Sequence, residues 1–278
     1  MTMKVLYGAG PNDIKTYDTA RLRGEFLIED LFQADKVSFT YTHVDRLILG
    51  GAVPVLSTLS FGSGEDIGTP FLLSAREMGI ANLGGTGVVS VDGKSFTLEN
   101  RDVLYIGRGA QDISVASASA DKPARFYMNS VPAGADIPHR LIKRAESKML
   151  TFGDARRANL RNLRMYIHPE VTPSCLLLLG ITDLADGSIW NTMPPHLHER
   201  RMEAYCYFDL PEEERVIHVM GRPEETRHLV VKNLDAVLSP AWSIHMGAGT
   251  AQYAFVWGMT GENQEYNDVA TVALSELR

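Results

Sequence analysis

Apolar residues along this 278-residue chain recur mostly at a period of two. The stretch "TGVVSVDGKSFTL" (86–98) alternates apolar and polar positions on both sides of Asp92-Gly93. That arrangement predicts a β-hairpin, because an Asp-Gly pair accepts the positive φ values of a tight turn. "DVLYIGRG", "CLLLLGITDL", "EAYCYFDL", "RVIHVMG", "RHLVVKN", "AVLSPAWSIH" and "AQYAFVWGM" read as further short strands, spaced as in an all-β sandwich or barrel. Helical periodicity is weak. Its candidates are "RLRGEFLIEDLF" (21–32) and a short turn within "GDARRANLRN", so the expected architecture is β-barrel with few short helices.

The two halves resemble each other over a short stretch. "NRDVLYIGRGAQDI" (100–113) lies on "NLDAVLSPAWSIHM" (233–246) without a gap, with Asn100 on Asn233, Asp102 on Asp235, Gly107 on Pro240 and Asp112 on His245. In both, an Asn-x-Asp turn leads into an apolar strand, a Gly- or Pro-containing bend and a second strand. The expectation is two β-barrel lobes, 1–140 and 141–278. "VPAGADIPHRLIKRAESK" (131–148), rich in Pro, Gly and charge, forms the join.

Composition narrows the function classes. With 34 acidic against 27 basic residues, a net charge of −7 and no Lys/Arg-rich block, polyanions are poor partners and nucleic-acid binding is not expected. Cys175 and Cys206 both sit in apolar runs and read as reduced, buried thiols rather than a disulfide framework. The N-terminus turns polar quickly, and "SCLLLLGITDLADG" is interrupted by Asp183 and Asp186. No signal peptide or membrane span is expected, and the expected location is cytoplasmic.

Candidate chemistry concentrates in "MPPHLHERRMEAYCYF" (193–208). Strand alternation puts His196 and His198 on one face, with Leu197 on the other. Glu203 follows the polar "ERR" bend and can return to the same cavity from the next strand. His245, after a Pro bend and at the end of an apolar strand, is the best distant fourth ligand. Three imidazoles and one carboxylate suit a borderline divalent metal such as zinc, iron, manganese or nickel. HxH alone is a motif that chance supplies; HxHxxxxE followed by PxxxxH is a far more demanding pattern. His218 and His228 stand singly in alternating strands and read as ordinary structural residues.

HxHxxxxE with a later PxxxxH resembles the two motifs of the cupin superfamily, in which a small β-barrel holds a metal through three histidines and a glutamate. Trp242 stands where a glycine is common there, and Gly249 where an asparagine is common. The first half offers Pro70, Leu72 and Asp112 where histidines would be needed. The resemblance therefore implies an all-β bicupin, two β-barrel or jelly-roll lobes, with one metal site.

A closer resemblance runs through "YTHVDRLILGG", "LGGTGVVSVDG", "WNTMPPHLHERRMEAYCYF", "MGRPEETRHLVVKN", "SPAWSIHMGAGT" and "FVWGMTGEN". In length and motif order the chain resembles the family of 4-deoxy-L-threo-5-hexosulose-uronate ketol-isomerases. That resemblance implies aldose–ketose interconversion of a small uronate-derived substrate in pectin breakdown. It also implies one zinc ion per subunit, other divalent metals being chemically admissible, and a homohexamer. The substrate's carboxylate calls for an arginine clamp. Candidates are Arg161, Arg200, Arg201 and Arg227, with Tyr205 sharing the strand parity of Glu203; the proton-transfer base is unassigned. Two rival classes are a cupin metal-dependent oxygenase and a non-catalytic sugar-acid-binding cupin.

Overall fold

Period-two patterning becomes sheet almost throughout. The computed structural model describes residues 3–278 and contains one α-helix, Thr19–Phe26, among short strands and single 3₁₀ turns. Two compact units are present. The first takes residues 3–6, Asp30–Lys148 and Met165–Leu179; the second takes Tyr7–Glu29, Met149–Arg164 and Gly180–Arg278. A single boundary at 140/141 therefore does not describe the chain. Segment 7–29 joins the second unit because Leu27–Ile28 pairs with the Ala236–Ser239 strand. Segment 165–179 joins the first because the buried Glu77 carboxylate accepts the backbone N–H groups of Cys175, Leu176 and Leu177, each at 2.8 Å.

In the first unit a seven-stranded sheet runs in the order Lys4–Leu6, Val37–Thr42, Ile48–Ala52, Phe126–Pro132, Arg76–Asn82, Val103–Ile106, Arg140–Ile142. A four-stranded sheet has the order Leu59–Phe61, Ile113–Ser117, Gly87–Val91, Lys94–Leu98. Their inward residues share one apolar core, with Met78, Ile80 and Ile106 from the first sheet meeting Val89, Val91 and Val115 from the second. The expected hairpin is present: Val91 pairs with Lys94, and Asp92 and Gly93 take φ of 47° and 82°.

A second pair of sheets, formed mostly by residues of the second unit, repeats this plan. Its larger sheet runs Lys148–Phe152, Arg161–Ile167, Leu178–Leu184, Ala254–Gly261, Arg201–Phe208, Ala236–Ser239, Leu27–Ile28. The smaller runs Glu225–Val231, Val216–Arg222, Ile244–Gly249, Trp190–Leu197, Ala270–Thr271. This is the all-β bicupin architecture. The helix expected over 21–32 starts at Thr19, where Asp18 caps it by accepting from the Arg21 N–H at 2.8 Å, and ends at Phe26. Leu27 and Ile28 leave it because the sheet edge offers them ladder hydrogen bonds.

The internal repeat is visible in detail. Asp102 Oδ2 accepts from the Glu99 N–H at 2.9 Å, and Asp235 Oδ2 accepts from the Lys232 N–H at 3.0 Å. The intervening Arg101 and Leu234 both adopt positive φ, 67° and 69°. Strand register then corrects one alignment. Met78 lies opposite Ile106 and Glu203 opposite Ser239, and Ile106 and Ser239 coincide in the gap-free overlay. Met78 is thus the counterpart of Glu203, and counting back places Phe71 and Leu73, rather than Pro70 and Leu72, at the histidine positions. Leu73 and Met78 are core residues, and Asp112 is exposed. Both cysteines are free. Among the described residues, no helix is long and apolar enough to cross a membrane.

Candidate metal centre

Two neighbouring strands of the smaller sheet and one strand of the larger sheet converge on one point. Trp190–Leu197 carries His196 near its end, and His198 follows immediately. Arg201–Phe208 carries Glu203, and Ile244–Gly249 carries His245. His196 pairs directly with His245 across the sheet, which puts their side chains on the same face. The potential donor atoms of all four residues lie within 4.8 Å of one another. Nε2 of His196 is 3.3 Å from Nε2 of His198 and 3.1 Å from Nε2 of His245. Glu203 Oε2 is 3.2 Å from His198 Nε2 and 3.0 Å from His245 Nε2.

The electrostatics suit a cation. Burial drives the His196 imidazole far below its ordinary range, and the neighbouring His245 and His198 rings push it further. Burial likewise lowers His245, with Glu203 opposing. Burial alone would raise Glu203, but the imidazoles of His245 and His198 outweigh it and hold the carboxyl below its usual range. The resulting set is one carboxylate beside three imidazoles, of which His196 and His245 are held towards neutrality, a donor set that could hold a divalent metal ion. The outer nitrogens are also engaged. His198 Nδ1 lies 3.0 Å from the carbonyl oxygen of Asp268, to which its N–H donates, and His245 Nδ1 lies 3.1 Å from Ser239 Oγ. Such contacts orient ligating imidazoles.

His196, His198 and Glu203 line a cavity of about 250 Å³ whose wall also includes Arg161, Tyr205, Thr192, Trp257, Tyr266 and Asn267, with His245 in contact with them behind it. Two of the five substrate-binding candidates are therefore brought to the site. Arg161 is mostly withdrawn from water, which lowers its pKa, and its guanidinium lies over the Phe152 ring and donates to the Asn159 carbonyl at 3.0 Å. The Tyr205 phenol lies against the side chains of Thr192 and Glu203; burial first, and then the Glu203 charge, raise it so that it stays protonated.

The other three arginines lie elsewhere. Arg200 is exposed and donates to Glu262 at 3.2 Å; the strand ends at Leu197, so the parity of His196 and His198 does not reach it. Arg201 is 1% exposed, but its guanidinium is spent on acceptors of residues 263–268. Arg227 donates to Glu225 at 2.8 Å on the outermost strand of the smaller sheet. His218 is fully buried, with Nδ1 2.7 Å from the Tyr207 hydroxyl, outside the donor cluster. Sequence reasoning missed Thr192, Tyr266 and Asn267. They carry no motif, and only the polar run after "FVWGMTGEN" marks the loop to which two of them belong.

A family model described as "KduI/IolB family" matches residues 26–274. The 4-deoxy-L-threo-5-hexosulose-uronate ketol-isomerase of Dickeya dadantii (strain 3937) is 49% identical over 278 residues, 99% of this chain and 100% of the relative. The protein of the same name from Yersinia pestis (strain Pestoides F) is 48% identical over the same span. Among solved structures, an IolB-like protein from Salmonella typhimurium LT2 is similar in fold, with a TM-score of 0.67 at 15% identity over 81% of this chain and 87% of the other. With the family model covering nearly all of the chain and such identity over its full length, the protein belongs to the KduI/IolB family.

Proposed function

We propose that this protein is a metal-dependent ketol-isomerase of uronate breakdown, converting 5-dehydro-4-deoxy-D-glucuronate to 3-deoxy-D-glycero-2,5-hexodiulosonate. The observation that carries the reading is the cavity itself. It opens onto the metal donor set through His196, His198 and Glu203 and holds one desolvated arginine beside them, as an acid with a reactive hydroxy-aldehyde end requires. Full-length similarity to named ketol-isomerases supports it.

His196, His198, Glu203 and His245 are the proposed ligands of one zinc ion per subunit. A divalent metal supplies Lewis-acid stabilisation of negative charge developing on the substrate's C1 and C2 oxygens. Arg161 takes the substrate carboxylate through its forked N–H groups and so orients the chain with its hydroxy-aldehyde end at the donor set. Phe152 beneath the guanidinium limits hydration of that pair. Tyr205, packed against Glu203, confines the carboxylate to its metal-facing position. The enzyme is taken to be cytoplasmic and, by family resemblance, a homohexamer that acts on pectin-derived uronate; light scattering tests the assembly.

The deciding experiment is a coupled assay with unsaturated-uronate breakdown product on native, chelator-treated and zinc-reconstituted protein. Turnover lost with the metal and restored by zinc is the expected result. Absence of isomerisation by metal-replete protein overturns the proposal.

A further inference from the structure

Residues 262–269 link the Ala254–Gly261 strand to the Ala270–Thr271 strand, and both ends of this segment are tied to the metal centre. Gly261 lies opposite Arg201, and Thr271 lies opposite His196. The segment is folded on itself. Asn263 Nδ2 donates to Asp268 Oδ2 at 2.5 Å, the Glu265 N–H to Asn263 Oδ1 at 3.1 Å, and the Asp268 N–H to the Glu265 carbonyl at 3.0 Å.

The Arg201 guanidinium sits within that fold. Nη1 donates to Asn263 Oδ1 and to the Glu265 carbonyl, both at 2.6 Å, and Nη2 donates to the Asp268 carbonyl at 3.2 Å. The same Asp268 carbonyl receives the His198 Nδ1–H at 3.0 Å. Each unmet donor of a guanidinium withdrawn from water is costly. Here acceptors of this one segment meet Nη1 and Nη2, while Nε–H has no partner among the described residues, so the placement of the guanidinium depends on the segment's conformation. The segment in turn presents Tyr266, Asn267 and Val269 to the cavity, with the Tyr266 ring 6.0 Å from that of Trp257.

Resting on the isomerase reading above, we propose that Arg201 is a positioning residue. It holds residues 262–269 as a specificity wall over the metal centre, on which Tyr266 and Asn267 read the hydroxyl-bearing carbon chain between the reacting end and the carboxylate. The division of labour follows from chemistry. Arg161 matches the charged end of the substrate, whereas a phenol and an amide are neutral donor–acceptor groups suited to hydroxyls. Burial pushes the Tyr266 phenol up to about 12, so it keeps its proton as a donor.

The test uses zinc-replete full-length enzyme and the variants Arg201→Gln, Arg201→Lys, Asn263→Ala and Tyr266→Phe. It reads zinc content, hydrogen–deuterium exchange of peptides spanning 262–269, and the division between KM and kcat. Arg201→Gln is expected to keep its zinc, to speed exchange in 262–269 by about tenfold or more, and to raise KM by about tenfold with a smaller change in kcat. Arg201→Lys does not rescue, because an ammonium cannot span the separated acceptors. Asn263→Ala repeats the loosening without touching the buried cation. Tyr266→Phe raises KM and leaves exchange unchanged.

Arg201→Gln with parental exchange, or with zinc lost while the segment stays protected, overturns the positioning role. Tyr266→Phe with parental KM overturns the wall's role in recognition. Exchange and zinc content are read on the protein itself. Failure of the isomerase reading, seen as absent turnover by the parent, is thereby distinguished from failure of the positioning role.

Discussion

His198 and His245 differ from His218 in what surrounds the ring rather than in depth. His218 is as buried as His245, but it meets aromatic neighbours and the Tyr207 hydroxyl instead of further imidazoles and a carboxylate. The proposed ligands are held from behind, so a change one step outward should be felt. Ser239→Ala removes the partner of His245 Nδ1 and is expected to weaken zinc affinity by about 10–100-fold, measured by competition with a chromogenic chelator. Glu203→Gln exchanges a charged donor for a neutral one and should lower both zinc content and turnover; retention of both would remove Glu203 from the ligand set. Arg161→Ala is expected to lower kcat/KM by about 10–100-fold, mostly through KM, since a charge-assisted pair is lost while the donor set is untouched. Steady-state kinetics on the uronate decide it.

Single buried side chains also set the form of whole elements. Glu77 lies on the strand Arg76–Asn82 with no exposure, accepting from the Tyr105 hydroxyl at 2.7 Å and from three successive backbone N–H groups of residues 175–177. Glu77→Leu leaves those four donors without an acceptor and should cost about 3–5 kcal/mol, read from urea unfolding of the full chain. Strands were legible in the sequence because side-chain alternation is a local property, and the Asp92-Gly93 turn was legible because few residue pairs accept its φ values. Glu77 was not legible as an anchor, because three of its four partners lie about a hundred positions away along the chain. The helix over 21–32 was overextended for the same kind of reason: a partner strand more than two hundred residues later claims Leu27 and Ile28. Arg200 has the same parity as His196 and His198 along the chain, but parity lapses where the strand ends at Leu197.

For the molecule as a whole, buried neutral imidazoles make stability depend on pH. Burial pushes His218 down to about 3, whereas an unfolded histidine protonates near 6.5. Between these values the unfolded chain binds the additional proton, so stability falls as pH drops through that window, by up to ~1.4 kcal/mol per pH unit for each such histidine. Chemical denaturation of metal-free protein between pH 7 and pH 4 should show the loss, and His218→Gln, if it folds, should flatten the slope. By itself the sequence determined the all-β class, the two-fold repeat, and a donor set of His196, His198, Glu203 and His245. These features rest on period-two patterning and on spacings within short segments. Only the tertiary structure decided that segments 7–29 and 165–179 exchange units, that Met78 stands where Glu203 does, and that Arg161 rather than Arg200, Arg201 or Arg227 faces the cavity. The wall of residues 262–269 belongs with these. Each depends on which distant strands pair and where a strand stops, and the free energy that settles pairing is gained only when remote segments meet.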